Sequence, residues 1–163
     1  MDVRSSTEGI SRLESDEQQR NWRNEKWERK AKDSLANYDP TRAHLNFEVA
    51  RGGIVQPIDT SKTIAEKMAK NLAARGIRNP NDNPNARRKN RIIGQFIFGG
   101  NRQRMHEIAF GSQKVDLTKG ADNSSITRSK DIELWAKDVY DFMARRYGEE
   151  NIISFYVHLD EKN

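Results

Sequence analysis

The sequence contains no cysteine, which excludes disulfides, thiolate metal sites and cysteine nucleophiles and is compatible with a reducing cytoplasm. It also lacks any run approaching about 18 apolar residues, so no membrane-spanning helix is expected. The segment Met1-Asp2-Val3-Arg4-Ser5-Ser6 has no apolar core of the kind a signal peptide needs, and a cytoplasmic location is expected. Apolar residues are few, at 34%, and mean hydropathy is -0.98. The chain is polar for a globular protein but not poor enough in apolar residues to be wholly disordered. Its 163 residues suit one domain with a real core. Lys and Arg number 29 against 24 Asp and Glu, for a formal charge of +5, which favours polyanionic partners without naming one.

Along the chain, residues 1–36 interleave eight basic and eight acidic side chains, with Leu13, Trp22, Trp27 and Leu35 nearly the only large apolar groups. A solvated helix or loose arm is expected there. Asn37-Tyr38-Asp39-Pro40 reads as a turn, because Asn and Asp bond their own backbone and Pro fixes φ. His44-Leu45-Asn46-Phe47-Glu48-Val49 alternates with period two and predicts a strand, followed by a Gly52-Gly53 turn into Ile54-Val55-Gln56. Ile64, Met68 and Leu72 at four-residue spacing, with Gly76 beyond them, predict a helix with one buried face. Residues 78–91 hold five basic groups, one acidic, two prolines and five asparagines, the composition of a mobile basic loop. Ile92–Phe98 reads as a buried strand, and Glu107–Phe110 as a further short one. From Ser129, a good N-cap, a helix is expected with Ile132, Trp135, Val139, Phe142 and Met143 as its stripe and Gly148 at its end. Asn151–Leu159 is an almost unbroken apolar run, the pattern of a central strand covered on both faces.

Three histidines are present, His44, His106 and His158, and the last precedes Leu159-Asp160-Glu161 at the end of that strand. Strand alternation places His158 and Asp160 on one side and Glu161 on the other, unless the chain turns after Leu159 and brings Glu161 back to His158. Imidazole and carboxylate together suit a divalent metal, and an exposed polar strand end is the plainer reading of the same residues. Arg87, Arg88, Lys89 and Arg91 form the densest basic cluster, either facing DNA or simply solvated. Trp22 and Trp27 stand among Arg23, Lys26, Arg29 and Lys30, where they could stack on bases or belong to a core.

Two segments taken together carry a resemblance. Asp39-Pro40-Thr41-Arg42-Ala43-His44-Leu45-Asn46-Phe47-Glu48 is similar to the N-P-x-R-x-H-L-N-Y-E segment of the Mob/Pre (MobV-type) plasmid mobilisation and recombination relaxases. Tyr147-Gly148-Glu149-Glu150-Asn151-Ile152 and Val157-His158-Leu159-Asp160-Glu161 resemble that family's Y-G-x-x-N-I and the start of its metal motif, H-x-D-E-x-x-P-H-x-H. The resemblance implies an α+β fold, an antiparallel sheet flanked by helices in the manner of HUH relaxases. It implies origin DNA binding, with metal-dependent nicking of a single strand and covalent attachment to the 5′ phosphate. Residues 1–36 would be an N-terminal arm and 37–163 the N-terminal portion of the relaxase domain.

By the same resemblance, His158 is the first ligand of Mn²⁺ or Mg²⁺, with Glu161 beside it toward the metal and Asp160 as its acidic neighbour. Arg42, His44, Asn46 and the cluster Arg87, Arg88, Lys89 and Arg91 are the expected contacts to single-stranded DNA. The Pro and two His that complete the metal motif are not in the sequence, so the chain as it stands is expected not to hold metal stably or to cleave. Some family members use a histidine nucleophile in an H-N-E-R segment. Here that place holds Arg23-Asn24-Glu25-Lys26, and an arginine, always protonated, cannot attack phosphorus. Tyr38, just before the matching segment, is the expected substitute. The other readings are a nonenzymatic single-strand DNA-binding remnant and a basic partner-binding domain unrelated to DNA.

Overall fold

The computed structural model describes residues 2–21, 29, 37–83, 85 and 87–162. Trp22, Arg23, Asn24, Glu25, Lys26, Trp27, Lys30 and Leu35 lie outside the described residues, and with them the stacking reading of the two tryptophans. The fold is α+β, with two small antiparallel sheets flanked by helices. β1 (Asp2–Ser6) pairs with β4 (Ile93–Ile97) in a two-stranded ribbon, Val3 opposite Phe96 and Ser5 opposite Gly94. The second sheet has the order β3-β2-β5, with β2 at Phe47–Ala50, β3 at Ile54–Gln56 and β5 at Tyr156–Val157. The helices are α1 (Arg12–Gln18), α2 (Ile64–Ala74), α3 (Arg102–Phe110) and α4 (Lys130–Tyr147).

The central strand is β2 rather than the 151–159 run. Phe47 and Val49 point into a core built with Ile132, Ala136 and Tyr140 of α4 and with Ala109 and Phe110 of α3. Glu48, on the other face, is also buried, and its carboxylate accepts from Gln56 Nε2 at 2.5 Å. From the expected strand 151–159, only Tyr156–Val157 keep ladder geometry, at the sheet edge beside β2. One turn of 3₁₀ helix (Glu149–Asn151) takes up its first residue, and Ile152–Phe155 lead into β5 without regular structure. Val157 and Leu159 enter the core, which leaves Tyr156 and His158 on the opposite, polar face.

Several expectations give way to longer-range packing. His44 lies not in a strand but in a 3₁₀ helix, Pro40–Leu45, started by the Asp39 side chain accepting from Thr41 N and by proline at its first position. Glu107–Phe110 is the last turn of α3, not a strand. Asn101 caps that helix and Gly111, at φ +64°, ends it, and Ala109 and Phe110 are buried. Ile92–Phe98 supplies a strand, but one paired, among the described residues, with β1 alone and exposed at Ile97. On α4 the buried residues are Ile132, Ala136, Tyr140 and Met143, while Phe142 is exposed. The described part of the N-terminal arm contributes β1 and the capped helix α1. The basic loop carries a 3₁₀ turn at Pro80–Asp82. Its neck is closed by Asn81, whose amide donates to Thr7 O and Asn90 O and accepts from Asn90 N.

Candidate functional site

The two segments that carry the family resemblance, more than a hundred residues apart in sequence, lie side by side. Beyond the β2–β5 pairing of Phe47 with Val157, Tyr38 and Glu161 form an antiparallel bridge. Asp39 N donates to Asp160 O at 2.7 Å and Lys162 N to Asn37 O at 2.8 Å. Asn46, next to the end of the 3₁₀ helix, accepts on one oxygen from Leu159 N at 2.6 Å and Asp160 N at 3.2 Å. Its amide nitrogen is buried without a partner. Arg42 Nη2 donates to Glu161 O at 3.1 Å. Together these bonds bend the chain at Asp160 and settle the question the sequence left open, because Glu161 comes back to the His158 side.

Arg42 and Asn46 therefore build the site from within. The Arg42 guanidinium is 2% exposed, pairs with Asp39 at 2.9 Å and lies 5.4 Å from the Phe110 ring centre. Asp39 also accepts from Thr41 N, Thr41 Oγ1 and Asn123 Nδ2. Burial pushes its carboxyl up, yet the hydrogen bonds from Thr41, Asn123 and Arg42 outweigh that and hold it below the usual carboxylate range. Both Arg42 and Asn46, expected at the DNA, are occupied in holding the strand end. His44, Arg87, Arg88, Lys89 and Arg91 are exposed. His106 packs edge-on against Phe110, its ring centre 5.2 Å away.

His158 sits between α1 and the strand end. Its Nε2 lies 2.7 Å from Gln18 O. A carbonyl only accepts, so that nitrogen carries a proton and the ring turns Nδ1 toward Glu161, whose Oε1 is 3.5 Å away. The ring stacks on Tyr156, with 6.4 Å between centres and 16° between planes. Tyr156 is in turn next to Lys67 of α2, whose ammonium is 3.4 Å from the phenol oxygen and 3.7 Å from Glu48. A polar face thus runs from Lys67 through Tyr156 and His158 to Glu161.

Arg20, just past the end of α1, closes this face. Its Nε and Nη2 grip the two oxygens of Asp160 at 3.0 and 3.1 Å, and Nη2 also reaches Glu161 Oε1 at 2.7 Å. Nη1 donates to Glu17 O, and the guanidinium stands 4.9 Å above the Tyr38 ring. Tyr38 OH donates to Glu17 Oε1 at 3.0 Å. Burial and that bond to a carboxylate both raise the Tyr38 phenol above its ordinary value. The His158 ring beside it, with help from Arg20 and against partial desolvation, holds Glu161 down to about 2.

An imidazole nitrogen and a carboxylate oxygen converge at one edge, an arrangement that attracts a cation. Among the described residues no group of three His, Cys, Asp or Glu is placed to hold a metal ion. Arg20, Gln18 and Glu17 carried no signal in sequence, since each looks like one more charge or amide in an evenly interleaved segment, Arg20 and Gln18 being 140 residues from Asp160 and His158. No described helix is long and apolar enough to cross a membrane. No protein-family model, curated protein or solved structure matches the chain.

Proposed function

We propose that this chain is part of a plasmid mobilisation and recombination relaxase, acting on single-stranded origin DNA in the cytoplasm. One observation carries the reading. The two segments that resemble the Mob/Pre family are joined through Asn46, Arg42 and the Tyr38–Glu161 bridge into one local unit with His158 at its edge. A chance likeness of two short stretches gives no reason for them to meet.

The donor set fits Mn²⁺ or Mg²⁺ in part. His158 has its Nε2 proton donated to a backbone carbonyl, the usual support for a metal-binding imidazole, which turns Nδ1 toward Glu161. The carboxylate of Glu161 is the hard oxygen such cations prefer. Among the described residues these two donors stand alone, too few to hold the ion. When bound, a divalent ion offsets the charge that develops on the phosphate oxygens during transesterification.

The chain's own residues supply the remaining roles. Tyr38 is the nucleophile, and Glu17, already hydrogen-bonded to its phenol, accepts the proton. The new bond joins Tyr38 Oη to phosphorus, and the bond from phosphorus to the 3′ oxygen breaks as that oxygen takes a proton from solvent. Protein stays on the 5′ phosphate and a 3′ hydroxyl is released. His44 and the Arg87, Arg88, Lys89 and Arg91 cluster meet phosphates, while Arg42 and Asn46 hold the strand end in place.

Fluorescence anisotropy with a mixed-sequence single strand and its duplex tests the reading. The single strand binds about ten-fold tighter than the duplex at moderate salt. Equal affinity for both forms refutes it.

A further inference from the structure

Tyr156 of β5 and His158, the residue just past that strand, share the polar face of the sheet, while Val157 between them enters the core. Their ring centres are 6.4 Å apart and their planes differ by 16°. The extended backbone sets that spacing, because two residues advance about 6.6 Å, close to twice the roughly 3.4 Å rise of stacked bases. Both residues are partly exposed, and the polar edges of both rings are already held. The Tyr156 hydroxyl is 3.4 Å from Lys67 Nζ, His158 Nε2 donates to Gln18 O at 2.7 Å, and Nδ1 faces Glu161. What the pair offers a ligand is therefore its ring faces, in fixed orientation, so that little side-chain freedom is lost on binding.

The charges around the rings select the kind of ligand. Lys67, the cation beside Tyr156, is paired with Glu48 and Asp59, and the Glu161 carboxylate next to His158 repels a phosphate. An uncharged planar ring suits this face better than a phosphate does. We propose that Tyr156 and His158 form a stacking platform for a nucleobase of a single DNA strand, taking a base while the 87–91 cluster takes phosphates. The inference rests on the single-strand reading given above and adds to it the residues that touch a base. In a duplex the faces of a base are covered by its neighbours, so a platform of this kind favours the single strand, and it does so with little regard to sequence because every base has a π-face.

Fluorescence anisotropy of the full chain with a labelled thymidine strand about 15 nucleotides long, and with an abasic strand of the same length, tests the platform. Tyr156→Leu, which keeps apolar bulk and removes the ring, binds the thymidine strand about ten-fold more weakly and the abasic strand as the wild type does. Tyr156→Phe, which keeps the ring and loses the hydroxyl beside Lys67, binds the thymidine strand like the wild type. If Tyr156→Leu keeps the wild-type circular dichroism and either loses no affinity or loses it equally on both strands, the platform is refuted, and the single-strand reading stands wherever the wild type still prefers single strand to duplex. If the wild type does not distinguish single strand from duplex, both fall. Should Tyr156→Leu not fold, the wild type alone decides, because a base stacked on the pair moves the His158 ring-proton NMR resonances upfield at saturation with the thymidine strand. Unchanged resonances at saturation overturn the proposal.

Discussion

Asn46 holds the centre of the site with a single oxygen. That oxygen satisfies two buried N–H groups of the 159–160 bend, while the amide nitrogen has no partner. Replacing it by leucine strands both donors, at about 1–3 kcal/mol each. Asn46→Leu is therefore expected to lower unfolding free energy in urea by several kcal/mol in order of magnitude, and to loosen the Tyr38–Glu161 bridge. Asn46→Asp keeps the acceptor and removes the stranded donor, but puts a charge against Asp160, and its loss should shrink as pH falls below the carboxylate range. A result in which both variants are as stable as wild type contradicts the role given to this oxygen. Sequence offered Asn46 as a DNA contact because a motif names residue types and positions, not the direction a side chain takes. Its burial depends on the turn at Asp39, which lets the 3₁₀ helix fold back under the strand end.

Among the elements, α4 shows what local chemistry fixes. Ser129 accepts from Asp131 N, Asp131 and Glu133 sit in the first turn, and Gly148 ends the helix at φ +83°. Each signal lies within a turn of the position it governs, which is why the helix is legible from Ser129 to Gly148. Ser129 also has a non-local part. Its hydroxyl donates to Ile108 O and its N–H to Ala109 O, so it caps the end of α3 as well. Ser129→Ala therefore removes an N-cap and leaves an α3 carbonyl unmet, and should cost more than the roughly 1 kcal/mol of an ordinary cap. A thermal unfolding loss no greater than that of Thr63→Ala, which caps only α2, would argue against the double role. The strands were less legible for the same physical reason. An almost unbroken apolar run says that a segment is buried, but not which neighbour it pairs with. Here the pairing partner of 151–159 is a four-residue β2, so only two residues find a ladder.

Across the whole molecule, carboxylates near the site couple stability to pH. Asp39 and Glu161 are both held below the ordinary carboxylate range, Glu161 to about 2. Their contribution is fully present above the unfolded value of about 4 and is lost as pH falls toward the folded values. The melting temperature should be flat from neutral pH down to about 5 and fall steeply below 4, with a shallower fall in Asp39→Asn. A flat profile through pH 3 contradicts the ionised network. The same network makes the α1 end, the Asp39 turn and the 158–161 bend one unit, although no single stretch of sequence announces it.

Where the nucleic acid lies decides the account most directly. A bromodeoxyuridine-substituted single strand, photocrosslinked to the full chain and mapped by mass spectrometry, should mark Tyr38, Tyr156 or His158 along with the 87–91 cluster. Crosslinks confined to 87–91, with none on the His158 face, would mean that the basic loop binds phosphates nonspecifically and that the Tyr38–His158 unit is not a DNA site.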